Sequence, residues 1–277
     1  MTQAWVRRYI ERDFAPIPVP PGAKSPNRPG WQDERMGLKD VPRYFDNGQN
    51  VGVLNGRPSG WKVCADLDVA EATELAGRFM PPTLTSGRES RPHSHWWLIS
   101  PEAKTDKFKD VDGTMLLELR STGCQTIVAP SIHPGGDRYM WHGESGLRMA
   151  HVETAELRRR LSELATAVLI ARHLPKLRNE STGEGGGRHD YALALSGFLL
   201  RSGRLNVPTA LKVLRAAWDA KGWPDERSKR EAHHDLVHLQ ERFWAMSCSA
   251  AYELAERTTR SLVNAHKASL SIAQNVS

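Results

Sequence analysis

The chain has 277 residues, a net charge of +6 and a pI near 9.3, with 39% apolar and 25% charged residues. It holds no run of about 18 apolar residues, and its opening stretch, MTQAWVRRYIERDF, is charged throughout where a signal peptide would be apolar. The expectation is a cytoplasmic protein with no membrane contact. Only three cysteines occur, Cys64, Cys124 and Cys248, and none forms a CxxC pair. A disulfide framework and a four-cysteine zinc site are therefore unsupported, and buried apolar fillers are the expected role of the three.

Residues 1–150 carry 19 Lys and Arg against 18 Asp and Glu, and residues 151–277 carry 19 against 14. The positive excess lies in the second half. A basic surface of this kind suits a polyanion, because phosphate contacts release counterions.

In chain order, residues 14–31 (FAPIPVPPGAKSPNRPGW) are too rich in Pro and Gly for a helix or a central strand and read as an ordered loop, or as a disordered arm if nothing holds them. From about 50 to 142 short apolar runs alternate with Gly, Pro and Ser, as in NVGVLNG, WKVCADLDV, HWWLIS, MLLELRS, QTIVAPSI and YMWHG. This is a pattern of short strands. One helix interrupts it over 70–79 and stops at Pro81-Pro82. After about 150 the spacing turns helical: 154–173, then a Gly-rich linker at 178–188, then 190–202, 207–221, 225–246 and 249–268. Gly203 and Gly222 stand where helices commonly end. The expected fold is α+β followed by an all-helical region, with boundaries at 1–150, 151–188 and 189–277. No GxGxxG or GxxxxGK[ST] follows a strand, so dinucleotide-binding and P-loop folds are excluded.

The chemistry concentrates in GWKVCADLDV, residues 60–69. Residues two apart on a strand share a face, so Asp66 and Asp68 project together, with carboxylates roughly 6–7 Å apart by strand rise. Two carboxylates this close repel each other unless a cation intervenes, and a pair of divalent ions is one remedy. Two solvated acids on an open strand face are the plainer alternative. Glu118, in MLLELRS, is a third strand-borne acid; it shares its face with Arg120, with which it can simply pair. Between these acids lies TSGRESRPHSHWWL, residues 85–98. Its Arg88 and Arg91 are donors suited to phosphate oxygens. His95 is a further donor, and His93 shares its face if the strand begins early. Trp96 and Trp97 read as packing residues before stacking ones. Ser131 and His133 flank a strand end before a Pro-Gly-Gly turn, where backbone amides can approach an anion.

In order and spacing these motifs resemble the primase-polymerase domain of the archaeo-eukaryotic primase superfamily, in its plasmid and phage version. A Pro-rich lead with Lys24 and Gly30-Trp31 is followed by Asn50-Val-Gly-Val, by the DxD of Asp66 and Asp68, by His95 within SRPHSH, by Glu118, and by Pro130-Ser131-Ile-His133-Pro. The resemblance spans about residues 14–142. It implies an RRM-like core in which Asp66, Asp68 and Glu118 hold two Mg²⁺ or Mn²⁺ ions and serve catalysis together with His95. It also implies that His95 contacts the nucleotide's phosphates, with Lys24, Arg88, Arg91, Ser131 and His133 as further nucleotide-binding candidates. The substrates implied are an NTP or dNTP and a single-stranded DNA template, and the product is a primer or an extended strand. A replicative helicase, fused or separate, is the implied partner. One departure is His93 where relatives have a small residue, which leaves His93 and His95 both open as the motif's histidine. Another is the lack of cysteines for the zinc knuckle that some relatives carry.

Residues 184–204, with Trp218 and Gly222-Trp223, resemble the small helical domain that often follows such cores. Arg201, Arg204, Arg215, Lys229 and Arg230 are its candidates for contacting nucleic-acid phosphates. His234 and His238 have the i,i+4 spacing of a helical metal pair but lack an evident third ligand. Two other readings stay open: a metal-dependent nuclease using the same acids, and a replication module that binds DNA without chemistry.

Overall fold

The computed structural model describes residues 1–45, 48–143, 148–174, 195–200 and 205–221. The chain divides into two compact units, Met1–Arg172 and His173–Ser277.

The first unit is α+β, built on two sheets. Helix α1 (Thr2–Glu11) leads into β1 (Ala15–Val19). A short helix α2 (Val41–Tyr44) precedes β2 (Asn50–Leu54). Then come β3 (Lys62–Leu67), α3 (Ala70–Phe79), β4 (Thr85–Arg88), β5 (Arg91–Ile99), β6 (Asp106–Lys109), β7 (Met115–Arg120), β8 (Gln125–Val128), β9 (Tyr139–His142), β10 (Ala150–His151) and α4 (Thr154–His173). The small sheet has the order β1-β2-β8 and is antiparallel throughout. The large sheet has the order β6-β7-β3-β5-β4-β9, with β10 parallel to β5.

The segment read as a Pro-rich loop contains strand β1. Pro16 and Pro18 lack the N–H that a ladder on both sides would need. Among the described residues β1 lies at the edge of its sheet and pairs only with β2, so no ladder bond is lost on the open side. All five of its residues are buried.

The large sheet has two working faces. On one, Val63, Ala65, Leu67, Leu98, Leu117 and Leu119 are buried. Helix α3 contacts β3 and contributes buried Ala72, Leu75, Ala76 and Phe79. Helix α4 presents a stripe of Leu157, Leu161, Leu164 and Val168 at helical spacing. Its Arg160 donates to the Phe79 carbonyl at 2.8 Å, and its Arg172 meets Asp110 at 2.7 Å.

On the other face Cys64 and Trp97 join a core with Val6, Tyr9, Phe14, Val51, Val53 and Val128, which come from α1, the small sheet and the approach to it. Trp97 is fully buried, edge-on to Phe14 at 5.7 Å and tilted against Trp141 at 5.3 Å. This is the packing role expected of it; truncating such a ring typically costs about 3–5 kcal/mol. The same face, two residues further along β3, carries Asp66. The core therefore fixes the site one pleat away.

In the second unit, residues 195–200 form a helical segment, α5, and Val207–Ala220 forms α6. Asn206 caps α6 by accepting from the Thr209 amide at 3.0 Å. Arg215 is exposed on α6. The helices expected at 225–246 and 249–268, and Arg201, Arg204, Lys229, Arg230, His234 and His238, lie outside the described residues. So do the Gly-rich linker and the two glycines read as helix ends.

Candidate active site

Strand register builds the site. Asp66 on β3 stands directly opposite Glu118 on β7 and directly opposite His95 on β5. His95 in turn stands opposite Ser86 on β4, and Glu118 opposite Lys107 on β6. Directly opposed residues share a face. One row therefore crosses five strands in the order Lys107, Glu118, Asp66, His95, Ser86.

Asp68 follows just past the end of β3, its amide donating to the Leu116 carbonyl at 3.0 Å. Burial raises its pKa to about 6, and the Asp66 charge adds to that, while Arg120 and Arg91 pull the other way. Asp68 thus feels both other acids and two guanidiniums.

Arg120 lies among the acids. Its Nη2 is paired with Asp66 Oδ2, and its Nε donates to Glu118 Oε2 at 3.0 Å. Burial alone would lower its pKa, but Asp66 and Glu118 outweigh burial and hold the guanidinium charged. The other two oxygens are also engaged: Asp66 Oδ1 lies 3.4 Å from His95 Nε2, and Glu118 Oε1 lies 3.5 Å from Lys107 Nζ. Among the described residues no three His, Cys, Asp or Glu side chains close on a common point. The physical reason is on the strand: the guanidinium spans the two acids that register brings together. As a donor set, three carboxylates of this kind suit a hard divalent ion, and Asp66 and Glu118 would share their oxygens between that ion and Arg120.

His95 is buried, and burial pushes its pKa down to about 4 against the pull of Asp66. It is neutral at pH 7, so its tautomer matters. The Trp97 indole donates to Ser86 Oγ at 2.9 Å, and Ser86 Oγ lies 3.2 Å from His95 Nδ1. With its oxygen already accepting from Trp97, the Ser86 hydroxyl has its own proton for Nδ1. The Asp66 carboxylate facing Nε2 at 3.4 Å can only accept, so the ring proton belongs at Nε2 and Nδ1 is left to accept from the Ser86 hydroxyl. Sequence reasoning missed Ser86; the position directly opposite a histidine appears only once register is known.

His93 does not share this face. It has a positive φ of 56°, and β4 and β5 shift register between Ser86 and Arg88. Its Nδ1 meets Thr85 Oγ1 at 2.9 Å, and its ring stacks obliquely on His142 at 4.6 Å, both on the opposite side of the sheet from His95. The backbone twist there breaks the two-residue alternation that the sequence implies.

The anion-binding candidates divide. Arg88 meets Asp137 at 3.5 Å. The His133 ring accepts at Nδ1 from the Gly135 amide at 3.0 Å; its pKa is lowered by burial, then by the charges of Arg88 and Lys24. These three form one basic neighbourhood. Tyr139 links it to the acid row, its ring 6.2 Å from His133 and 6.3 Å from His95. Lys24 is exposed. Arg91 donates to the Leu67 carbonyl at 2.8 Å, beside Asp68. Ser131 is buried: the Val51 amide donates to its hydroxyl at 2.8 Å, which ties the loop after β8 to β2. Its hydroxyl is engaged with the backbone of β2.

The fold and the row of ionisable residues define an α+β core with acids on the sheet and a basic rim. Residues 6–157 match the family of bifunctional DNA primase/polymerase N-terminal domains. That match covers more than half of the chain, and the chain belongs to this family. No curated protein matches it. Among the described residues no helix is long and apolar enough to cross a membrane.

Proposed function

We propose that the first unit is a template-directed nucleotidyl transferase of plasmid or phage replication, which synthesises primers and extends DNA on a single-stranded template. The observation that carries this reading is the direct cross-strand register of Glu118, Asp66 and His95, in a chain of the primase/polymerase family. An RRM-like description of the core and a cytoplasmic location belong to the same proposal.

Asp66, Asp68 and Glu118 would hold two Mg²⁺ or Mn²⁺ ions. Ions held there would supply a lower pKa for the primer 3′-hydroxyl and a counter-charge for the triphosphate. The protein's own contribution is positioning and charge. His95, neutral and carrying its proton at Nε2, donates to a phosphate oxygen and is held in that orientation by Ser86. Arg88, Lys24 and His133 supply positive potential for the rest of the triphosphate, and Arg91 braces the end of β3 where Asp68 sits. Preorganised donors of this type stabilise developing charge without reorganising. In the second unit, Arg215 on α6, together with Arg201, Arg204, Lys229 and Arg230, would meet template phosphates. A replicative helicase, fused or separate, is the partner of such an enzyme.

The test incubates the full chain with a single-stranded template, labelled NTPs or dNTPs, and Mg²⁺ or Mn²⁺. Nucleotide-dependent product from wild type, absent from Asp66→Ala/Asp68→Ala, supports the proposal. A second reading is favoured by the pairing of Asp66 and Glu118 with Arg120 and Lys107: a DNA-binding module in which the acids only hold strands together. It requires template binding that survives Asp66→Ala and no product under any condition. Loss of labelled DNA without added nucleotide would point to a nuclease instead.

A further inference from the structure

We infer that Arg120 is a resident counter-cation that competes with divalent metal for Asp66 and Glu118 and makes metal binding dependent on the nucleotide. The inference rests on the reading of those acids as metal ligands and concerns how the site fills.

The geometry is specific. Arg120 stands opposite Cys64 in the strand register, one pleat along β7 from Glu118. From there its guanidinium reaches the acid on its own strand and the acid on the neighbouring strand at once. It is a largely buried side chain, with 26% exposure, and its neighbour Cys64 is fully buried. Its packing against Cys64 and the two acids limits its drift into solvent, and an arginine side chain keeps its charge at any working pH. Lys107, by contrast, is 56% exposed and only 3.5 Å from Glu118, a contact easily given up.

A carboxylate oxygen held by a guanidinium is a poorer ligand for a metal, and a guanidinium next to a divalent ion is repelled by it. A unit charge about 6 Å from a divalent ion weakens its binding by on the order of tenfold, even in a water-like dielectric. A triphosphate changes this balance. Its oxygens are strong bidentate acceptors for arginine, so an incoming nucleotide gives Arg120 an alternative partner as it turns away from the acids. Metal and nucleotide then favour each other through Arg120, and the coupling is reciprocal. The arrangement disfavours metal at the acids until substrate is present, and it offsets the mutual repulsion of Asp66 and Glu118 meanwhile.

The experiment titrates Mn²⁺ into the full chain and follows free Mn²⁺ by electron paramagnetic resonance, without nucleotide and with a non-hydrolysable deoxynucleoside triphosphate. Wild type, Arg120→Met, Arg120→Lys and Asp66→Asn are compared. In the absence of nucleotide, Arg120→Met is expected to bind Mn²⁺ on the order of tenfold more tightly than wild type. Arg120→Lys, which keeps the charge but not the two-acid bridge, should fall between them. The strengthening of Mn²⁺ binding by nucleotide should shrink in the same order. Should Arg120→Met fail to fold, Arg120→Lys decides the question by the same comparison. Equal or weaker binding in the variants, with wild type binding Mn²⁺ and Asp66→Asn not, overturns the role of Arg120 and leaves the proposed function standing. Failure of every form to bind Mn²⁺, with or without nucleotide, overturns both.

Discussion

Acidification should destabilise this protein through His95, and the size of the effect follows from its surroundings. The ring is buried, and its pKa falls from the ordinary 6.5 to about 4. The folded state therefore takes up the proton later than the unfolded chain does. Stability from this group is complete above pH 6.5 and is lost as the pH drops toward 4. Between pH 7 and pH 5 the loss is about 2 kcal/mol by linkage. Asp68 acts in the opposite sense. Its pKa rises from 3.8 to about 6, so the folded state binds its proton first and gains stability as pH falls over the same window. Undiscounted, that gain would be about 1.3 kcal/mol, and half-exposure brings it below about 1 kcal/mol. Wild type should thus lose roughly 1 kcal/mol from the pair between pH 7 and pH 5.

The assay is urea unfolding at both pH values in a chelating buffer, with wild type, Asp68→Asn and His95→Gln. Other carboxylates titrate alike in all three, so only differences between them count. Asp68→Asn should lose about 1 kcal/mol more than wild type on acidification, and His95→Gln about 2 kcal/mol less. Identical pH dependence in His95→Gln and wild type would refute the argument that the imidazole is buried neutral.

Ser86→Ala should leave the Trp97 indole N–H without its acceptor and cost about 1–3 kcal/mol in urea unfolding; it should also weaken nucleotide binding by freeing the His95 ring to turn. His95→Ala should raise KM for nucleotide in the primer-synthesis assay while His93→Ala leaves it unchanged, and an unchanged KM in His95→Ala would give His95 a structural role. Gly87→Ala should be destabilising by about 1–3 kcal/mol, because a Cβ there would press into the Arg91 carbonyl and the His93 amide across the β4–β5 irregularity; wild-type urea midpoints in this variant would contradict that.

How much of this was legible in the sequence depends on whether a residue's role is local. Strand alternation in VCADL and LLELR placed Asp66 and Glu118 on one face with an apolar reverse, and the structure agrees on that division, while the acids' own face turns apolar one pleat back at Cys64 and Trp97. Helix 70–79 and helix 154–173 were legible to the residue from apolar spacing and stop signals. Strand β1 was not, because proline argues against a strand only where both edges are paired, and sequence does not say which strand is an edge. His93 was expected to share the face of His95 if the strand began early; the period of two assumes regular backbone, and a φ of 56° is not visible in the string SRPHSH.

Arg120 marks the boundary most clearly. Its pairing with Glu118 is a two-residue, same-strand relation and could be read from ELR. Its pairing with Asp66 requires knowing that β3 lies beside β7 with Asp66 opposite Glu118, which the 51 intervening positions of sequence do not reveal. Yet the second contact is what changes the chemistry. A guanidinium on one acid is a surface ion pair worth little. A guanidinium bridging two acids in a semi-buried row occupies the very oxygens that a metal would need. Motif-level reading finds ligands one at a time; whether they are free to act as ligands is decided by the cross-strand neighbour. For this site the informative measurement is therefore metal affinity as a function of residue 120, read before any turnover is measured.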